Sequence, residues 1–219
     1  MFITSVSEKY HPDKLLKSSP YKGESKRIIA IGASTGGVDA IAKILRQLPR
    51  NLPPIIITQH IPDGFSTSFA NRLNINSELD VFEVRQRMPL RDSCVYLAPG
   101  GLHMLLDRQG NNYYARPQDG IRISRHCPSV DVMFRSLNNV AGKAALAIIM
   151  TGMGDDGSIG IKELYDNGAY TIAQDEASCV VFGMPKQAIA KGAIYDIVGL
   201  DSIHKKIIAY ANGELKRNH

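Results

Sequence analysis

From Arg27 onward, apolar residues alternate between short unbroken runs and longer stretches in which they recur every three or four positions. Ile28-Ile29-Ala30-Ile31 and Ile55-Ile56-Ile57 are unbroken, as strands covered on both faces require. Between them Val38, Ile41, Ile44, Leu45 and Leu48 repeat at helical spacing, and Pro49 ends that helix. Phe65, Phe69 and Leu73 predict a second helix, with Asp63 and Ser66 near its start.

The middle of the chain changes character. Residues 81–84, 95–97, 103–106 and 113–115 are short strand-like pieces, and 107–112 read as a hairpin turn. Val130, Met133, Phe134 and Leu137 predict a helix behind Ser129. A strand at 145–150, a helix at 158–167 closed by Gly168 and a strand at 170–173 follow. Pro185 then opens a helix, 194–198 is a strand and 202–211 a last helix. Strands alternating with helices predict right-handed βαβ units. The expected fold is therefore α/β: a doubly wound, mostly parallel sheet with helices on both faces and a β-hairpin insertion near 100–116. Residues 1–26 are polar without apolar period and read as a leader or linker remnant, 27–212 as the domain, and 213–219 as a polar tail.

Composition narrows the classes. Of 219 residues, 44% are hydrophobic and 21% charged, which is ordinary for a globular protein. The longest uncharged stretches, such as 144–154, are too short for direct membrane insertion. No basic start followed by an apolar run marks a secretory signal, and three widely spaced cysteines form no CxxC pair. A cytoplasmic location without disulfides or zinc is expected. The net charge of +5 gathers at Lys14 to Lys26 and at Lys216-Arg217, not in a groove-reading stripe, so no nucleic acid is expected as partner.

In parallel α/β sheets, ligands sit beyond the carboxyl ends of the strands. Three such ends carry useful residues. Gly32-Ala33-Ser34-Thr35-Gly36 matches the G-x-S-x-G turn between strand and helix, where Ser34 is either a nucleophile or a cap on the helix beginning near Gly37. A dinucleotide loop would place glycine where Ser34 stands and an acid where the second strand ends in Gln59-His60. His60 is a candidate base. Thr151-Gly152-Met153-Gly154-Asp155-Asp156-Gly157 offers two adjacent carboxylates, either of which could orient an imidazole or cap a helix. The order Ser, His, Asp differs from that of α/β-hydrolases. His103 and His126 read as loop or substrate-contact residues, with no partner at metal-ligand spacing.

These segments, with Gln59-His60-Ile61-Pro62, Tyr96-Leu97-Ala98-Pro99-Gly100, Arg125-His126, Pro128-Ser129-Val130-Asp131 and Gly183-Met184-Pro185, resemble the catalytic domain of the CheB family of protein-glutamate methylesterases. The resemblance runs in order from Arg27 to Ile207. It implies hydrolysis of glutamate γ-methyl esters on the cytoplasmic helices of chemoreceptors, with glutamine deamidation as a companion reaction. It also implies Ser34 as nucleophile, His60 as base and Asp156 as orienting acid, since position 155 is often Asn in the family. Thr35 and Met153 stand where backbone donors of an oxyanion hole are expected, and no cofactor or metal is implied. The family's usual receiver domain has no counterpart in residues 1–26, so a separate receiver-domain protein is a candidate partner. Asp63 stands where proline is frequent.

Overall fold

A computed structural model describes residues 8–215 and 217. Its strands are β1 (Ile28–Ala33), β2 (Ile55–Gln59), β3 (Asp80–Glu83), β4 (Met88–Pro89), β5 (Cys94–Leu97), β6 (His103–Gln109), β7 (Asn112–Gln118), β8 (Ala145–Ile149), β9 (Tyr170–Gln174) and β10 (Asp196–Val198). Its α-helices are α1 (Gly37–Leu45), α2 (Ser66–Ile75), α3 (Val130–Val140), α4 (Ser158–Asp166), α5 (Met184–Ala190) and α6 (Leu200–Ala211).

Seven strands form one sheet in the order β10-β9-β8-β1-β2-β5-β3. Every pairing in it is parallel. Strand β1 is central and wholly buried, and its alternate residues face two cores. Ile29 and Ile31 point to the side of α1, α2 and α6, while Ile28 and Ala30 point to the side of α3, α4 and α5. A parallel strand packed on both faces has no position for a polar side chain, hence the unbroken runs.

The hairpin expected near 100–116 is β6–β7, joined through Gly110-Asn111 with Gln109 opposite Asn112. Strand β4, a two-residue piece too short to leave a pattern, adds to β7 and completes a small antiparallel sheet. This second sheet packs through Met104, Leu106 and Tyr113 onto the α3 side of the main sheet.

The polar leader is anchored to the domain over the part described. A single 3₁₀ turn, Pro12–Lys14, is flanked by Tyr10, Leu15 and Leu16, which pack on a cluster of Leu105, Ile123 and Val132. The guanidinium of Arg135, 2% exposed, pairs with Asp13 and Glu163 and donates to the Leu16 carbonyl at 3.0 Å. Leader residues 1–7 and tail residues 216, 218 and 219 lie outside the described residues. Leu215 packs on the core of the α6 side.

Candidate active site

The sheet register brings the predicted residues to one edge. Ala33 lies opposite Gln59, and the next amide along, His60 N–H, donates to the Ala33 carbonyl at 3.1 Å. On the other side of β1 the Ser34 N–H donates to the Thr151 carbonyl at 3.0 Å. Ser34 thus stands on the central strand end, with the β2 end at one flank and the loop after β8 at the other.

The turn at Ser34 is made by glycine. Gly36, with φ of 80°, is the N-cap of α1 and carries the left-handed conformation that a serine would adopt only with strain. Because the α1 cap lies two residues further on, the helix-cap alternative for Ser34 falls away. A second close approach falls at Gly152, where a Cβ would lie 2.7 Å from that of Ser34 and 2.4 Å from Met184 Sδ. Only a residue without a side chain lets the two segments meet there.

Asp156 and Asp155 separate cleanly. Asp156 is fully buried, and its Oδ2 lies 2.7 Å from His60 Nε2. The same carboxylate accepts from Ser129 Oγ at 2.7 Å, Val130 N–H at 2.7 Å and Asp131 N–H at 3.0 Å. Two of these donors are the free amides at the start of α3, whose partial positive charge favours an anion. Burial pushes the Asp156 carboxyl up. The hydrogen bond and charge of His60, with the Asp131 and Ser129 donors, outweigh it and hold the carboxyl below the usual value. Asp155 instead pairs with Lys9 of the leader.

An ionised Asp156 can only accept, so His60 Nε2 is the donor to it and Nδ1 is the ring nitrogen left for another partner. Nδ1 is buried and has no protein partner. Gln59, read from sequence only as a missing acid, braces the site: its Nε2 donates to the Ser34 carbonyl at 2.8 Å and to the His60 carbonyl at 3.0 Å. Ser129 and Gln59 were not legible as site residues, since nothing in their local spacing points at a triad.

The amides of Thr35 and Met153 donate to no protein acceptor among the described residues. Both side chains are exposed, Met153 by 72%. A groove of about 530 Å³ opens beside His60, lined by Ile61, Pro62, Phe65 and Phe69 with Arg72 at its rim.

Of His103 and His126, expected as loop or substrate-contact residues, His126 lies in the loop before α3 and His103 instead opens strand β6. His103 is fully buried, with Nε2 2.9 Å from the Ile121 carbonyl and Nδ1 accepting from Ser129 N–H at 3.2 Å. Burial lowers its pKa despite that carbonyl. It ties the loop before α3 to Ser129. The His126 ring stacks on that of His60 with centroids 3.6 Å apart. Asp131, also fully buried, accepts from the Ile159 and Gly160 amides at 2.9 Å and from Ser124 Oγ at 2.8 Å. Burial and then the charge of Asp156 raise its carboxyl well above the usual range. Among the described residues no three His, Cys, Asp or Glu side chains gather to hold a metal ion, and no helix is long and apolar enough to cross a membrane.

Fold and site together define a parallel α/β domain that gathers a serine, a histidine and a buried carboxylate from adjacent strand ends. Residues 29–207 match the family model described as CheB methylesterase, and the chain belongs to that family. It is 48% identical over 209 residues to the protein-glutamate methylesterase/protein-glutamine glutaminase of group 3 operon of Rhodopseudomonas palustris, covering 94% of this chain and 57% of the relative. It is 51% identical over 184 residues to protein-glutamate methylesterase/protein-glutamine glutaminase 1 of Pseudomonas savastanoi pv. phaseolicola, covering 84% and 51%. The crystal structure of the Thermotoga maritima CheB methylesterase catalytic domain superposes with a TM-score of 0.81 at 36% identity, covering 84% of this chain and 98% of that one. The chain spans little more than half the length of the curated relatives it matches.

Proposed function

We propose that this chain hydrolyses γ-methyl esters of glutamate on the cytoplasmic helices of chemoreceptors, releasing methanol, and deamidates glutamine at the same site. The observation that carries the reading is the 2.7 Å contact of His60 Nε2 with buried Asp156, which leaves Nδ1 buried and unpaired at the strand end next to Ser34.

Ser34 Oγ attacks the ester carbonyl carbon while its proton passes to His60 Nδ1, and Asp156 stabilises the imidazolium. The tetrahedral oxyanion accepts from the Thr35 and Met153 amides. The C–O bond to the methoxy group then breaks, and that oxygen takes the proton from His60 and leaves as methanol. Water attacks the acyl-enzyme with His60 again as base. Collapse returns the proton to Ser34 Oγ and frees the γ-carboxylate. With glutamine the leaving group is ammonia and the steps are the same. The apolar groove beside His60 takes the residues that flank the reacting side chain on the receptor helix.

Methanol release from methylated receptor fragments tests this. Ser34→Ala is expected to lose at least about a thousandfold in turnover, and a fluorophosphonate should label the native chain at Ser34. Undiminished release by Ser34→Ala ends the reading.

A further inference from the structure

Loop 121–127 carries His126 to the base of the proposed triad. The His126 ring lies face to face on the His60 ring, centroids 3.6 Å apart and planes within 8°. The loop is built to put it there. Ser124 and Arg125, neither of them glycine, have φ of 49° and 72°, a pair of left-handed residues that a free loop avoids. The tight turn is closed by Ile123 and His126 exchanging backbone hydrogen bonds at 3.0 and 2.8 Å. It is pinned from outside by Ser124 Oγ on Asp131 at 2.8 Å and by Ser124 N–H on the Tyr10 carbonyl at 2.9 Å.

We propose that His126 is a positioning residue for the base: a flat, uncharged ring that fixes the plane of His60 and shields its face while the imidazolium forms. The proposal rests on the assignment of His60 as base. The single hydrogen bond at Nε2 fixes one point of the His60 ring and leaves its tilt free. A second ring at van der Waals distance removes that freedom, and its π face favours the cation that His60 becomes. The arrangement works only if His126 is itself neutral. Burial lowers its pKa to about 4, helped by His60, Arg122 and Arg125 and opposed by Asp156. The two rings therefore never compete for charge near neutral pH.

The test compares His126→Ala and His126→Phe in the full chain, with thermal melts to show that each folds. His126→Ala is expected to lower kcat about 10- to 100-fold, the scale of a misplaced catalytic group, with KM changed less than about threefold. His126→Phe keeps a flat neutral face and is expected to recover most of the lost kcat. A folded His126→Ala with native kcat overturns the proposal, and so does a folded His126→Phe no better than alanine. His60→Gln separates the two ideas. If that variant still hydrolyses ester, the base assignment fails. If it is dead while His126→Ala is native, only the role of His126 fails.

Discussion

The carboxyl edge of the sheet and the leader at residues 8–26 are both held by buried ionic groups, but their construction is opposite. At the edge, Asp156 receives four donors from His60, Ser129, Val130 and Asp131, all within 3.0 Å. They come from elements already fixed by strand pairing and by the α3 side of the core. The leader has little secondary structure of its own. It is held by Arg135 on Asp13, by Asn139 on Lys17 and Ser19, by Lys143 and Arg108 on Glu24, by backbone contacts at Tyr10 and Tyr21, and by three half-buried apolar side chains. At the edge four donors converge on one carboxylate, whereas the leader's anchors are spread a few at a time along its length. Losses at the edge should therefore appear in chemistry, and losses in the leader in stability.

The largest effect that sharpens this contrast is Asp156→Asn. It keeps the shape but cannot accept from every donor or hold the same His60 tautomer. Turnover should fall by about 10⁴-fold while the chain stays folded, as steady-state assay and circular dichroism would show. Gly152→Ala comes next. Its new Cβ meets Ser34 and Met184, so Ser34 or the loop must shift, and a displacement near 1 Å costs about 100-fold in rate. A variant with native kcat would show that the edge yields more than its packing implies.

Replacing Asp13, Leu15 and Leu16 together with alanine probes the other side and leaves Tyr10 on the loop that carries His126. The loss of the Leu15 and Leu16 contacts and of the Asp13 partner of Arg135 should cost about 2–3 kcal/mol, lowering Tm by about 5–10 °C. Methanol release well below the new Tm should stay within about threefold of native. A large loss of rate without loss of Tm would erase the distinction between the regions.

The smallest effect is in pH. His103 and His126 have lowered pKa values, so the folded state holds them neutral where the unfolded chain already binds protons. Their contribution to stability is present above the ordinary histidine value and is lost as pH falls from about 6.5, through about 4 for His126. His126→Phe should flatten the slope of Tm against pH over that window, and an unchanged slope would show that His126 is not held neutral by the fold.

Much of this was readable in the residues. Unbroken runs located β1, β2 and β8 because a two-sided parallel strand tolerates little else, and βαβ alternation then put Ser34, His60 and the 151–157 loop at one edge. The choice of Asp156 over Asp155 needed the likeness to a family, because adjacent side chains point apart and only packing says which points inward. Gln59 and Ser129 act through hydrogen bonds to groups far away in sequence, which leave no spacing to read. The leader looked like a linker because isolated anchors such as Tyr10, Leu15 and Leu16 make no period. His126 reads from the sequence as a loop or substrate-contact residue, and only the fold puts it on His60.

The central position of β1 also orders events in time. Its pairing with β2 joins neighbours in the chain, but its pairing with β8 sets Ile28 against Ala145, with most of the domain between them. Such long closures come late, because their entropy is spent before any contact repays it. A refolding chain should regain helical signal first and fluorophosphonate labelling last. On the proposed function, ester hydrolysis is then a clock for the final closure of the sheet.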